Sequence, residues 1–573
     1  MITKIVDIET DDINATVIHC IAVGDLEGKV NLYADHPNYL PIEDGVKELE
    51  DADRVVMHNG LNFDYPIIAR LTNAKIKREK VFDTLILSRF IDPRQRKHSL
   101  AEWGERLGFP KGDFKDFEKF TDEMATYCIR DVEVTTKLYK HLMEKFEPEM
   151  AQALRTEFDF AYVLGIQERH GFRLNVKAAQ DLAAEMRQEM SDIEDQLQSI
   201  FLPRVIERYS DKTGNRLKDK IEVFNPGSRK QIGERLTEKY GWKPTKYTPQ
   251  GAPQIDEKVL NELNYPEAKL LGRYFLCQKQ LSQISEGDAG WLKRVTDDGY
   301  VHGKVNTIGT NTFRCSHFSP NMAQISKRDL RMREVWLPDE GDKLVGVDAD
   351  ALELRMLAAM LGHFDDGAYA KALLEGSKED GTDVHSRTGK IVGVENRDVV
   401  KRLTYAYLYG ASDRKLSQIL REGKAPLSDG KIIRYRMNQG ITGLGTLADI
   451  LKSKYERGYL IGVDGGRRIP IVSEHSMLNF LLQSMGAIVM KKALCLFHYE
   501  LAPAAGHVVD DQPQTFNYCA NVHDEVQLTV RPQHAKEIGQ LFADAIKLAG
   551  ERLELKCPLS GSYDVGNNWK ETH

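Results

Sequence analysis

The chain has few of the residues that build cross-linked or zinc-stapled domains. Its 573 residues include seven scattered cysteines, an odd number with no CxxC pair. That usage excludes a disulfide framework and fits reduced thiols in a cytosolic protein. No Cys/His group has the spacing of zinc ligands, so no structural zinc is expected. Long apolar runs are missing too. The most apolar late stretch, 478–499, is broken by Asn479, Gln483, Lys491 and Lys492, and nothing is expected to span a bilayer. The opening MITKIVDIET lacks the charged, apolar, then small-residue order of a secretory signal. There is no internal repeat, no low-complexity tail and no excess of positive charge; the formal net charge is −7.

What is present is charge gathered in patches. Between His385 and Lys415, seven basic residues (Arg387, Lys390, Arg397, Lys401, Arg402, Arg414, Lys415) stand against Glu395, Asp398 and Asp413. KRDLRMR at 327–333 and the pair Arg467 and Arg468 are two further basic knots. Taken singly, such runs are as often solvated surface. On an acidic chain they suit a ligand of phosphates whose groove also needs carboxylate-held cations.

At roughly 150 residues per domain the length suggests about four units. Residues 1–147 read as an α/β unit, with KIVDIE, ATVIHCIAV and RVVMHNG as short buried strands and TDEMATYCIRDVEVTTKLYKHLMEKF as a long helix. From 148 to 297 the pattern is mostly helical. Amphipathic stretches at 178–201 and 266–284 flank a Pro/Gly-rich passage, FNPGSRKQI to YTPQGAPQID, expected as loops and short helices. Residues 344–348 form a short apolar strand feeding a helical run at 352–361, and helices continue to about 457. FNYCANVHDEVQLTV reads as two strands joined by a tight turn, ahead of a helix near 533–553.

Asp7-Ile8-Glu9 lies in a strand pattern. Side chains alternate along a strand, so the two acids share one face about 7 Å apart. They repel each other unless cations lie between them. Asn59-x-x-x-Phe63-Asp64 adds a third carboxylate just after another strand. Tyr127-x-x-x-Asp131 adds a fourth, with phenol and carboxylate on one helix face. A lone DxE is more often a solvated strand end; the ordered set within 131 residues is specific. Hard oxygen ligands of this kind suit Mg²⁺ or Mn²⁺.

A second set lies downstream. In VDADALELR, Asp348 stands where a buried strand ends and a helix begins, which fixes a carboxylate yet leaves it open. In VHDEV, Asp524 stands at a hairpin turn 176 residues away. By itself an HDE in a turn is more often solvated loop. Between them Arg397, Lys401, Tyr405 and Tyr409 fall every fourth residue before Gly410, a helix stop. The stripe drifts about 40° per step and spans roughly 18 Å, enough to reach from a triphosphate to its base. Cations grip phosphates at one end and an aromatic face packs beside a base at the other. Alone, a Tyr stripe with snorkelling Arg and Lys beside it is more often core.

The N-terminal set resembles the DnaQ-like, Tyr-containing DEDD exonucleases. That resemblance implies an RNase H-like domain with two Mg²⁺ held by Asp7, Glu9, Asp64 and Asp131, and Tyr127 orienting the attacking water. HSLAEWGERL at 98–107 is similar too and is assigned packing only. The downstream pieces resemble motifs A, B and C of family A DNA polymerases: DYSxxELR, RxxxKxxxFxxxYG and HDE. FNPGSRKQI, TKYTPQGAP, SPNMAQI, LNFLLQSMGA and the terminal GNNWKETH are similar to the replicative polymerases of short-tailed bacteriophages, across nearly the whole chain.

The fold implied is α/β multidomain: an RNase H-like exonuclease at 1–147 and a right-hand polymerase. The polymerase would have a thumb and connecting region at 148–300, palm at 301–361 and 471–573, and fingers at 362–470. The function implied is primer extension on a DNA template with 3′→5′ proofreading, for phage genome replication in the cytoplasm of an infected bacterial host. Asp348 and Asp524, with the Ala349 carbonyl, would hold two Mg²⁺, Mn²⁺ being able to substitute. His385, Arg397 and Lys401 would hold the triphosphate, with Lys401 also a candidate proton donor to pyrophosphate. Tyr405 would pack on sugar and base, Tyr409 near the template, and Glu353 would crowd a ribose 2′-hydroxyl. Arg314, Asn479, Gln483 and His523 match positions that contact the primer end or the minor groove, where every pair offers N3 or O2 acceptors. Whether Glu525 ligates metal stays open. Implied partners are primer–template DNA, dNTPs, a phage helicase–primase met by a tail ending in His573, and a single-stranded DNA-binding protein.

The chain departs from the family in places. The usual TGR lead to the primer-contacting arginine is TFR at 312–314. In the best-studied phage relatives a large thumb insertion captures host thioredoxin; here about twenty residues, 203–222, fill that place, which argues against thioredoxin binding. Arg204, Arg208, Lys212, Arg216, Lys218 and Lys220 within it remain available to the DNA backbone. No room for a 5′-nuclease precedes Asp7. Tyr405, where many relatives carry Phe, implies easy use of dideoxynucleotides. Three rivals fare worse. A nuclease with a scaffold C-terminal half would show a broken motif A or C. A single-subunit RNA polymerase is opposed by Glu353, Tyr405 and the exonuclease set, and a binding protein with decayed sites by the intact metal positions.

Overall fold

The computed structural model describes residues 1–244, 246–421, 427–507 and 514–573. Thr245, which opens the TKYTPQGAP stretch, lies outside them. They form two compact units: one of 1–171, 304–317 and 338–573, the other of 172–303 and 318–337.

The first unit begins with a five-stranded sheet of β1 (Thr3–Thr10), β2 (Ile18–Gly24), β3 (Val30–Tyr33), β4 (Arg54–Met57) and β5 (Val81–Asp83), in the order β3-β2-β1-β4-β5. β1 runs antiparallel to β2 and parallel to β4. Helix α1 (Asp64–Thr72) follows β4, and α2 (Asp122–Met143) covers β1 and β2, its N-terminus capped by Thr121 accepting from the Met124 amide at 3.1 Å. Strands β3 and β5 are four and three residues long, too short to print a period on the sequence.

Helix α3 (Ala151–His170) leads on to a second, four-stranded sheet. In chain order its region holds β6 (Lys343–Ala349), α4 (Leu352–Leu361), α5 (Val384–Val392), α6 (Arg397–Leu408), α7 (Met477–Leu496), β7 (Phe516–Val522), β8 (Glu525–Val530), α8 (Ala535–Arg552) and β9 (Gly561–Gly566). The strands lie in the order β7-β8-β6-β9, all antiparallel, with α8 against β6 and β9. The run 474–504 around α7 has the length and hydropathy of a membrane span. Most of it is buried, packed on α3 and α8, so its apolarity serves the core.

The second unit has its own core, where Leu197, Phe201, Phe224, Leu236 and Trp242 meet and the Phe201 and Phe224 rings lie 4.7 Å apart. Helices Val176–Ile200, Arg229–Tyr240 and Pro266–Leu281 surround it. Residues 203–222 are not a plain link: Arg204–Tyr209 and Arg216–Glu222 pair as an antiparallel hairpin.

Residues 148–171 lie in the first unit, where Glu157 of α3 is fully buried, bonded to Arg467 and, at 2.8 Å through both oxygens, to Lys491 of α7. Residues 318–337 lie in the second unit, where Trp336–Leu337 pairs with Phe172–Leu174 and the Trp336 ring meets Trp291 at 5.1 Å.

Burial alone would raise the pKa of Glu157, but Lys491 and Arg467 overcome it and hold the carboxyl below the ordinary 4.5. A carboxyl held below its unfolded value adds stability above that value and loses it as the pH falls. Glu157→Ala, which takes the carboxylate from buried Lys491 and one of two acids from buried Arg467, should cost about 3–5 kcal/mol. Denaturant titration of wild type and variant reads this, and the gap between them should narrow as the pH drops below 4.5.

Candidate active sites

At the first site, Asp7 and Glu9 project from β1, Asp64 opens α1 and Asp131 lies on α2. Asp64 and Asp131 are almost wholly buried. The acids feel one another strongly. Burial, then Asp131, Asp64 and Glu9, push the Asp7 carboxyl well above the usual range, with Lys111 opposing. Glu9 is pushed up to about 8, by burial first and then by Asp131. Asp64 rises to about 7, burial leading and Asp83 and Asp131 adding. Asp131 Oδ1 is buried with no hydrogen-bond partner among the described residues. Acid oxygens crowded and short of donors fit hard divalent cations.

Two residues here escaped the sequence. Lys111 pairs with Asp131 Oδ2 and holds its ammonium 4.6 Å over the Tyr127 ring, so one cation ties together both motif residues of α2. No pattern marks a lysine on a loop. Asp83, at the end of β5, accepts from the amides of Asn59 and Leu61 at 3.1 Å each, and also caps the helix that follows. It therefore shapes the turn before Asp64. Its place ahead of TLIL is a helix-start signal that could have flagged it.

At the second site, β6 pairs with β8 so that Asp348 lies opposite Glu525, and the Ala349 amide donates to the Asp524 carbonyl at 3.1 Å. The turn that carries Asp524 has His523 at φ +61°, and the strand-to-helix turn after β6 has Ala351 at φ +46°. A pocket of about 430 Å³ is lined by Asp348, Ala349, Glu353, Tyr405, Asp524 and His573, among others. A narrow adjoining crevice shares Glu353 and Asp524 and adds Arg314 and His523. Open carboxylates beside a free-facing pocket fit divalent cations here as well.

Glu353 is held in place: its Oε1 accepts from the Tyr409 hydroxyl at 2.5 Å and from Arg314 at 3.3 Å. The Tyr405 and Tyr409 rings stack at 6.3 Å. Tyr409 caps α6 rather than lying within it, and Gly410 follows at φ +74°, where a Cβ would come within 2.5 Å of the His475 carbonyl. Arg397, Asp383 and Lys401 surround His385, and the Asp383 carboxylate takes Arg397 at 3.0 Å. Burial and the neighbouring cations hold the His385 pKa down. None of His385, Arg397 and Lys401 lines the pocket. On α7, Gln483 lies 3.4 Å from the Thr312 hydroxyl, and the Asn479 Oδ1 one turn earlier is buried without a partner.

Glu525, left open as a ligand, is buried, and protein groups engage both its oxygens. Gln527 (2.9 Å) and the Trp569 indole donate to one, and His573 stands 3.1 Å from the other. It secures the last residues of the chain. His573 itself turns toward Asp348, 3.8 Å away.

The sequence matches DNA polymerase family A over residues 203–571, and the 3′-5′ exonuclease domain family over residues 5–147. The chain belongs to DNA polymerase family A. It is a DNA-directed DNA polymerase with a 3′–5′ exonuclease domain. It is similar to the DNA-directed DNA polymerases of Enterobacteria phage T3 and Escherichia phage T7, 28% identical to each over 99% of this chain and 99% of theirs. A solved structure described as the POL domain of Pol1 from M. smegmatis in complex with DNA primer-template and dNTP shares the fold. Its TM-score is 0.78 at 18% identity, covering 100% of this chain and 96% of that one. Polymerases and exonucleases of these families depend on divalent cations.

Within this family A polymerase the TFR departure has a physical account. Phe313 stands at φ +61°, a conformation that favours glycine, and is fully buried. Its ring meets Phe90 at 5.9 Å and lies under the Arg467 guanidinium at 4.6 Å. The packing offsets the backbone cost, and Arg314 still reaches Glu353. Lys111→Met should lower stability by roughly 1–3 kcal/mol in EDTA, the worth of a charged hydrogen bond. The loss should shrink when Mn²⁺ takes over the neutralisation, as thermal melts with and without the ion would show.

Proposed function

We propose that this polymerase extends a primer 3′ end at the pocket between Asp348 and Asp524 and trims the same strand at the Asp7–Asp131 cluster. The observation that carries the reading is the bond from the Ala349 amide to the Asp524 carbonyl, which supports two distant acids acting as one site. Mg²⁺, with Mn²⁺ able to substitute, would be held as two ions by Asp348, the Ala349 carbonyl and Asp524, and as two by Asp7, Glu9, Asp64 and Asp131. When bound they supply activation of the attacking oxygen and neutralisation of the phosphate charge.

The rest falls to side chains. Arg397, Lys401 and His385 bind the triphosphate. The primer 3′-hydroxyl loses its proton to solvent as its oxygen bonds to the α-phosphorus and the bond to the bridging oxygen of pyrophosphate breaks, and Lys401 gives that leaving oxygen a proton. Tyr405 packs on the sugar and base, and Tyr409 stands near the template. Glu353, fixed by Tyr409 and Arg314, excludes a 2′-hydroxyl. Arg314, Asn479, Gln483 and His523 hold the primer end and the minor groove. At the other site Tyr127, braced by Lys111, orients the attacking water. The hairpin at 204–222 offers its arginines and lysines to the DNA backbone. The likeness to the phage T3 and T7 polymerases supports phage genome replication in the cytoplasm of an infected bacterium. A helicase–primase and a single-stranded DNA-binding protein would act on the same template.

Primer extension and primer degradation, run side by side, test the two sites. Asp348→Ala should abolish synthesis by at least about 100-fold and spare degradation, and Asp7→Ala should do the reverse. One variant losing both activities, with its fold intact, would sink the assignment. Tyr405→Phe should raise the preference for deoxy- over dideoxynucleotides about tenfold, near the worth of one hydrogen bond of roughly 1–1.5 kcal/mol. Chain-termination patterns in mixed nucleotides read that ratio.

A further inference from the structure

We propose that His507, His534 and Glu537 form a Zn²⁺ site, outside both carboxylate centres. His534 immediately precedes α8 and Glu537 lies in its first turn, so the three-residue spacing puts both on one helix face. His507 comes from the other direction, after the short turn Ala502–Ala504 that ends the α7 segment, and its amide is fixed to the Ala502 carbonyl at 2.9 Å. The three donors converge. His534 Nδ1 lies 3.3 Å from Glu537 Oε2, His507 Nε2 lies 3.4 Å from the same oxygen, and all three atoms fall within 4.8 Å of one another. Ligands about 2.0–2.1 Å from a tetrahedral ion stand about 3.3–3.4 Å apart.

A second observation is independent of that spacing. His507 is only 5% exposed, and its buried Nε2 has no hydrogen-bond partner among the described residues. It approaches Glu537 to ion-pair distance without the geometry of a hydrogen bond. A buried ring nitrogen left in that state is costly unless a ligand completes it. An ion among the three donors does so. Glu537 faces solvent and His534 is part-exposed, which leaves the fourth position to water. Two imidazoles and one carboxylate suit zinc, whereas the all-oxygen sets of the two active sites suit magnesium. The site would pin the chain leaving α7 to the start of α8, the helix beneath β6 and β9. Zinc-ligand spacing was absent from the sequence because His507 and His534 are brought together only by the fold, and no cysteine takes part.

Co²⁺ is the probe, since a four-coordinate ion gives intense visible bands and a six-coordinate, carboxylate-bound one gives faint bands. Full-length protein, stripped by chelator and carrying Asp7→Ala and Asp348→Ala to quiet the active sites, is titrated with Co²⁺ and then with Zn²⁺. The expected result is intense bands saturating near one equivalent and erased by one equivalent of Zn²⁺. In the same background His534→Ala or Glu537→Gln should lose the bands and weaken Zn²⁺ at least about tenfold. Both positions reach solvent, so they serve even if His507→Ala does not fold. Placed singly in the otherwise wild-type chain, both should still extend a primer. Absence of intense bands before those substitutions, or their persistence in both variants, would overturn the proposal.

Discussion

Strands β6 and β8 pair residue for residue from Lys343 with Val530 to Asp348 with Glu525, and the ladder closes on the bond from the Ala349 amide to the Asp524 carbonyl. That register decides where the polymerase centre is. Side chains alternate across a strand, so a slip of one residue would turn Asp348 to the opposite face. Burial guards against such a slip: every residue of β8 is buried. Beyond the ladder, Trp569, Gln527 and His573 converge on Glu525, so the last residues of the chain brace the strand that delivers Asp524. Glu353, Tyr409 and Arg314 then build outward from the same turn.

The two acid centres solve one electrostatic problem differently. In the exonuclease domain the carboxylates are largely withdrawn from water; that burial, with repulsion from neighbouring acids added, pushes the Glu9 and Asp64 carboxyls up, and Lys111 opposes it at Glu9. In the polymerase centre Asp348 keeps about 40% of its side chain exposed and lines an open pocket. There His573 stands 3.8 Å from Asp348, and the pocket stays open to an incoming charged ligand. On the function proposed for them, a buried cluster that takes a strand end and an open one that admits a nucleotide have reason to differ in this way.

The parts legible in the sequence were those with local pattern. Asp7 and Glu9 were readable because strand alternation is strict, and Tyr127 with Asp131 because four residues make a helical turn. The α6 stripe was readable because Gly410 marks its end. Long-range facts left weaker marks. That Asp348 meets Asp524 followed from family likeness and not from spacing. Glu157 gave no sign that it would anchor α3 to α7, since a single Glu on a helix face is usually solvated. Strands β3 and β5, the strand β9 near the C-terminus, and Lys111 were invisible for the same reason: each is short or solitary, and tertiary packing alone gives it a role.

The Glu157–Arg467–Lys491 knot also bears on how the molecule can be divided. Helix α3 follows the exonuclease sheet directly in sequence, yet its buried carboxylate is shared by two cations of the polymerase half, Lys491 and Arg467, with Asp464 as the second acid on Arg467. Phe90, from the exonuclease side, likewise shelters Phe313 and lies 5.5 Å from the Arg467 guanidinium. Cutting the chain after the exonuclease region would strip an aromatic lid, and cutting beyond α3 would take the carboxylate from Lys491 and one of two acids from Arg467. A proofreading-deficient form is therefore better made by point changes among the four acids than by truncation.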